Sequence, residues 1–265
     1  MRISSTDNPL YRRLKQLATS PRACREAHRT LIEGVHLLQA ALEARVTIHT
    51  LVLRGAEQSA EALALMPAAE AQSKAKTIEL APALYDAISP VEHGTGVLAE
   101  IEFKTPPWPK QIVDDAIYLD NVQDPGNVGT LLRTAAAAGV RHAIAGEGCA
   151  FFWSPKVMRA AMGAHFVLDL HEPITPQAVR NAFAGEVLAA DATGGEDLFA
   201  TEWGRSATVW LFGSEGQGVT ADTLLAANRR LRIPIDNRVE SLNVGAAAAV
   251  CLFEQKRRRD YRGLS

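Results

Sequence analysis

Five polar side chains stand in three stretches of similar build: Asn127 and Arg133 in the first, Glu215 in the second, Ser241 and Asn243 in the third. In the first, residues 116–119 are a short apolar run that reads as a buried strand. Residues 120–126 are a polar turn broken by Asp-Pro-Gly, and 128–138 an alanine-rich helix stopped by Gly139. Asn127 stands at the mouth of that helix and Arg133 about one and a half turns inside it. A lone Arg among Ala, Leu and Thr is either a solvated side chain or a group that works on a ligand. The second stretch, 209–219 (VWLFGSEGQGV), is a strand running into a Gly-rich turn that holds Glu215. The third, 231–259, is a short strand, a polar loop ending in Ser241-Leu242-Asn243, and a long helix. A turn that delivers a strand into a helix N-terminus offers N–H, hydroxyl and amide donors, which suits a phosphate or another anion. Helix capping is the alternative use of Ser241 and Asn243. Gly213 and Gly218 either permit a turn or let the backbone come close to a ligand.

The order Asn-x-Gly-x-x-x-Arg, then Gly-x-Glu-Gly, then Ile-Pro followed by Ser-Leu-Asn-Val resembles the three signature motifs of the SpoU (TrmH) family. These are S-adenosylmethionine-dependent RNA ribose 2′-O-methyltransferases of the SPOUT superfamily. The resemblance implies a C-terminal α/β methyltransferase domain tied in a trefoil knot, acting as a homodimer on RNA. It implies Arg133, Asn127, Glu215, Ser241 and Asn243 as the catalytic group, and Thr193, Gly213, Ile233 and Leu242 as cofactor contacts. Arg133 matches the family's catalytic arginine. Because an arginine stays protonated, electrostatic stabilisation of the forming alkoxide suits it better than proton abstraction. Glu215 is expected to orient Asn127 or Arg133 rather than act as a base. One position departs from the pattern: Gly245 stands where the family often has Ser, which removes one hydroxyl near the cofactor.

Around these residues the chain alternates strand-like and helix-like runs, the mark of an α/β fold with a mostly parallel sheet. Strands are expected at 116–119, 142–145, 165–170, 187–190, 209–213 and 232–235, with helices at 154–161, 175–183, 221–227 and from 244 onward. Ahead of them, 8–19 reads as an amphipathic helix started by Asn8-Pro9, with Leu10, Leu14 and Leu17 at helical spacing. Strands at 29–33, 48–53, 77–80 and 96–103 alternate with helices at 35–44, 59–71 and 82–87, and Pro67 is expected to end or kink the second of these. The segment 104–110, KTPPWPK, reads as an extended linker, dividing a small α/β domain at 1–105 from a second domain at 106–265. The N-terminal pattern NPL, LKQL, LIEG resembles the ribosomal-protein-like substrate-binding domain that many SpoU members carry. That resemblance makes Arg12, Arg13, Arg22, Arg25 and Arg29 candidate RNA phosphate contacts.

The composition excludes several alternatives. With 47% hydrophobic and 22% charged residues the chain has the make-up of a globular protein. No apolar run is long enough to span a bilayer, and the start, MRISSTDNPLYRR, lacks the apolar core of a signal peptide, so a cytoplasmic protein is expected. Three widely spaced cysteines form no disulfide framework, and seven histidines show no metal-ligand spacing, so no metal is expected. Net charge is −2, so RNA binding must use local patches. Residues 1–30 set seven Arg and Lys against Asp7 and Glu26, and the tail 256–262 sets five against Asp260. A nucleotide-binding dehydrogenase is disfavoured because Gly-Ser-Glu-Gly-Gln-Gly lacks the G-x-G-x-x-G order. The expected substrate is ribosomal RNA. The alternatives are tRNA, or a catalytically silent RNA-binding or ribosome-assembly protein.

Overall fold

Local signals set most helix starts. Asn8 caps the first helix by accepting from the N–H groups of Leu10 and Tyr11, Pro9 takes the first helical position, and Tyr11, Leu14 and Leu17 form its buried face. In the computed structural model, which describes all residues except 56–58, 90, 92–93, 205 and 261–265, the first elements are β1 (Arg2–Ile3), α1 (Pro9–Thr19), α2 (Pro21–Ala27), β2 (Arg29–Glu33), α3 (Val35–Glu43) and β3 (Ile48–Arg54). Then follow α4 (Ala60–Ser73), β4 (Lys76–Leu80), α5 (Pro82–Asp86) and β5 (Val97–Glu102). The next are β6 (Ala116–Asp120), α6 (Pro125–Ala138), β7 (His142–Ala145), α7 (Pro155–Ala161), a 3₁₀ turn at Ala164–Phe166, β8 (Asp169–His171) and α8 (Pro176–Ala182). The last are β9 (Glu186–Ala190), β10 (Glu196–Asp197), β11 (Thr208–Gly213), α9 (Ala221–Ala226), β12 (Arg229–Arg232) and α10 (Val244–Asp260).

The chain divides into two compact units. The first joins Met1–Lys104 to Phe151–Phe166, and the second joins Thr105–Ala150 to Val167–Ser265. The segment Phe151–Phe166 joins the first unit through α7, which packs on β2. Phe103 stacks on Trp153 at 4.7 Å, and the Thr30 hydroxyl donates to the Trp153 carbonyl at 2.6 Å. The first unit is a mixed sheet in the order β1-β4-β3-β5-β2, with β5 antiparallel to both its neighbours. The second is a sheet in the order β10-β12-β9-β11-β6-β7-β8 in which every pair is parallel. Its central strands β6 and β11 are buried along their whole length, as parallel strands covered on both faces must be. The crevice beyond the C-terminal ends of such strands is where an open α/β sheet takes its ligand.

The helix α10 lies against α6, β11 and β9. A buried polar network fastens its C-terminal half. Gln255 accepts from the Thr208 hydroxyl and the Trp210 indole, both at 2.6 Å, and donates to Asp115 at 3.0 Å.

Several expectations need correction. Pro67 does not end α4, which runs unbroken through it. Residues 164–166 form a 3₁₀ turn, and the strand expected at 165–170 is confined to Asp169–His171. The strand expected at 232–235 lies three residues earlier, at Arg229–Arg232, because Pro234 has no N–H to give a ladder and pairing with β9 takes the preceding residues. The helix carrying Arg133 begins at Pro125 rather than 128, capped by Asp124, whose carboxylate accepts from the Asn127 N–H at 2.8 Å.

Candidate functional site

The loops after β6, β11 and β12 meet through one side chain. Asn243 precedes α10, and its carbonyl oxygen accepts from the N–H groups of Gly245 (2.9 Å) and Ala246 (3.3 Å), which caps the helix. Its amide nitrogen donates to Asn127 Oδ1 at 3.0 Å and to Glu215 Oε1 at 2.5 Å. Asn243 therefore caps and also joins α6 to the Gly-rich turn. Glu215 reaches Asn127 only through Asn243, and it does not pair with Arg133. Arg133 is exposed on α6 and has no partner among the described residues. Ser241 is exposed and makes no cap.

Beside this junction is a cavity of about 310 Å³, within the range of small-molecule sites. Thr193, Gly213, Ile233 and Leu242 all line it, and so do Glu215 and Ser241. Asn127, Arg133 and Asn243 do not. Gly213 is required by the protein's own backbone: a Cβ there would stand 1.9 Å from the Gly218 carbonyl carbon, where the turn closes through a Ser214–Gly218 bridge. Gly245 has a comparable reason. A Cβ there would stand 2.7 Å from Thr130 Cγ2, so the position expected to hold a lost hydroxyl is a close contact between α10 and α6.

Three residues that carry this site were not singled out from the sequence. Asp120, at the end of β6, accepts the Thr220 N–H at 2.7 Å and so anchors the far end of the turn holding Glu215. Asp191 accepts both the N–H and the hydroxyl of Thr193. Burial works against its charge, but the bonds from Thr193 and Arg230 outweigh that and hold its carboxyl below the usual range. Glu240 lines the cavity without a partner among the described residues. The signal was present in each case, an acidic residue at the end of a strand or beside a motif, but its target was not.

The five N-terminal arginines have partners inside the chain. Arg13 and Arg29 both pair with Glu100, a fully buried carboxylate on β5, at 2.8 and 3.0 Å. Arg12 pairs with Asp7, Arg22 with Glu26, and Arg25 lies over the Phe151 ring. The two Arg on Glu100 solve a folding problem, since a buried carboxylate needs compensation. The basic tail is equally engaged: Arg258 donates to the carbonyls of Leu198, Phe199 and Thr201, and Arg259 to Asp115 and the carbonyls of Gly204 and Ser206. Tyr261 and Arg262, the end of the expected basic run, lie outside the described residues. Burial pushes the thiols of Cys24 and Cys149 up to about 11, which disfavours a reactive thiolate at either. Among the described residues no group of three or more His, Cys, Asp or Glu is placed to hold a metal ion, and no helix is long and apolar enough to cross a membrane.

Residues 115–253 match the model of the SpoU rRNA methylase family. The chain belongs to that family. Its residues 8–99 match the model of the MRM3-like substrate-binding domain. Across 266 residues the chain is 31% identical to an uncharacterized tRNA/rRNA methyltransferase of Synechocystis, covering 97% of this chain and 94% of that one. It is 36% identical over 149 residues to the 23S rRNA (guanosine-2′-O-)-methyltransferase RlmB of Bordetella pertussis, which covers 54% of this chain and 59% of the relative. The AdoMet-bound rRNA methyltransferase from Sinorhizobium meliloti superposes with a TM-score of 0.84 at 26% identity, over 98% of each chain. This SpoU chain is thus an α/β methyltransferase fold preceded by a substrate-binding domain.

Proposed function

We propose that this chain methylates a ribose 2′-hydroxyl in RNA with S-adenosylmethionine, and that ribosomal RNA is the substrate. The observation that carries the reading is the junction of Asn127, Asn243 and Glu215 beside a cavity lined by Thr193, Gly213, Ile233 and Leu242. The cavity suits the cofactor in charge as well as in place. Its lining includes Glu215 and Glu240, beside an Asp191 whose charge Arg230 offsets, and no Lys, Arg or His, an environment that favours a ligand of net positive charge. When bound, S-adenosylmethionine supplies an electrophilic methyl group, so the protein's work is holding and orienting. Thr193, Gly213, Ile233 and Leu242 hold the cofactor. Arg133 grips a phosphate beside the target ribose and stabilises the alkoxide as its proton leaves by way of phosphate oxygens. Asn127 and Asn243 fix the mouth of the Arg133 helix against Glu215.

The domain at 1–105 grips the RNA and that at 106–265 carries the chemistry, a division supported by the two family-model spans. The return of the chain from β12, beyond β9, to α10 on α6 supports the trefoil knot. The exposed apolar face of α10, with Ala246 and with Phe253 at 46%, supports a homodimer. The protein works in the cytoplasm.

The test is transfer of labelled methyl from S-adenosylmethionine to cellular RNA separated into ribosomal and transfer fractions, with Arg133→Ala alongside. Label in alkali-resistant dinucleotides of the ribosomal fraction is expected, reduced at least about 100-fold in the variant. Label in the transfer fraction alone would move the substrate to tRNA. Absence of both transfer and cofactor binding would favour a silent RNA-binding protein.

A further inference from the structure

The loop between β9 and β10 is fixed by one carboxylate. The Asp191 side chain is 8% exposed and both of its oxygens are used. Oδ1 accepts the Thr193 N–H at 2.9 Å and the Thr193 hydroxyl at 2.8 Å, and Oδ2 accepts Arg230 Nε at 2.6 Å. Arg230 belongs to β12, and the Asp191 N–H donates to the next residue of that strand, at the Leu231 carbonyl, 3.0 Å away. Gly195, at φ +101°, rests on the Arg230 carbonyl, where a Cβ would stand 2.4 Å from the oxygen. The loop is thus seated on β12 by an ion pair, a backbone bond and a glycine. Asp191, Thr193 and Leu231 line the cavity.

Two consequences follow for a ligand there. Both donors of Thr193 are already spent on Asp191, so toward a ligand Thr193 offers acceptors and its methyl but no donor. Arg230 neutralises Asp191 from outside the lining, so the loop is held without putting a cation into the cavity. We infer that Asp191 and Arg230 are positioning residues for the cofactor: they hold the Thr193 loop in the conformation that binds it, and the Thr193 hydroxyl proton stays on Asp191 rather than going to the ligand. This rests on the S-adenosylmethionine reading above and names two residues that the family motifs do not include.

The experiment is calorimetric titration of S-adenosylmethionine into the full-length protein, its Asp191→Ala, Asp191→Asn and Thr193→Val variants, with methyl-transfer kinetics beside it. The expected result is a Kd raised at least about tenfold by Asp191→Ala, with kcat at saturating cofactor within about threefold of the parent. Asp191→Asn, which keeps an acceptor for Thr193, is expected to fall between the two, and Thr193→Val to change Kd less than Asp191→Ala does. If Asp191→Ala does not fold, Asp191→Asn carries the comparison. An unchanged Kd with a lowered melting temperature would make Asp191 merely structural and overturn the inference. So would a loss from Thr193→Val larger than that from Asp191→Ala. A parent protein that binds no S-adenosylmethionine would overturn the functional reading itself, and the inference with it.

Discussion

At the scale of single residues, Asn243 carries two roles on its two side-chain polar atoms. Its oxygen caps α10 and its nitrogen ties Asn127 to Glu215. Asn243→Asp keeps a capping oxygen but loses the donor and sets a carboxylate against Glu215. It should leave the melting temperature near the parent's while lowering methyl transfer at least about tenfold. Asn243→Ala should lose both, with about 1 kcal/mol of stability gone in urea denaturation. If Asn243→Asp transfers methyl at the parent rate, the nitrogen's bonds are not part of the chemistry. Glu240 is the carboxylate in the cavity lining that has no partner among the described residues. Glu240→Gln should weaken S-adenosylmethionine, with its sulfonium, about threefold more than its neutral-sulfur demethylated product, a difference that falls as salt is added. Equal losses for the two ligands would show that Glu240 does not sense the charge.

At the scale of elements, the site depends on how closely α10 approaches α6. Gly245 sets that distance against Thr130. Gly245→Ser, which restores the residue frequent in the family, should cost about 1–3 kcal/mol in thermal or urea denaturation by forcing Cβ onto Thr130 Cγ2. Thr130→Ser removes that methyl and should recover most of the loss in the double variant. Additive losses would mean that the contact is not the cause. The far end of α10 is held differently. Gln255, Arg258 and Arg259 bond to β11, to Asp115 and to the carbonyls of Leu198, Phe199, Thr201, Gly204 and Ser206. In the tail that reads as a basic patch, Arg258 and Arg259 therefore fasten the C-terminal end of α10.

At the scale of the whole molecule, each unit carries a buried neutral histidine. His165, in the first unit, donates from Nε2 to the Phe152 carbonyl at 2.7 Å, leaves Nδ1 without a partner among the described residues, and is driven by burial to a pKa of about 4. His171, in the second, is held at about 4 by burial and then by His142. Both values lie below the unfolded one, about 6.5. Between about pH 6.5 and 4 the unfolded chain therefore binds more protons, and stability falls as pH falls through that window. For His165 the loss is on the order of 3 kcal/mol. Urea midpoints measured from pH 8 to pH 4 should show this decline, and His165→Gln, which cannot titrate, should flatten part of it. A midpoint independent of pH across that window would mean that neither imidazole is held neutral.

Short-range pattern along the chain specifies most of the elements and the chemistry that depends on close spacing. The strand–turn–helix build around Asn127, Glu215 and Asn243 is written in Gly, Pro and capping residues within a few positions of one another. The alternation of apolar strand and helix runs fixes the α/β class. Which side chains meet is settled by packing across long separations. Asn243 reaches Asn127 across 116 positions, Arg29 reaches Glu100 across 71, and Arg259 reaches Asp115 across 144. An arginine in a sequence carries the same charge whether it waits for a phosphate or neutralises a buried carboxylate. That choice is made by burial, which depends on the packing of distant strands. The same holds for Phe151–Phe166, whose place in the first unit is set by Thr30 and Phe103 and not by its own composition.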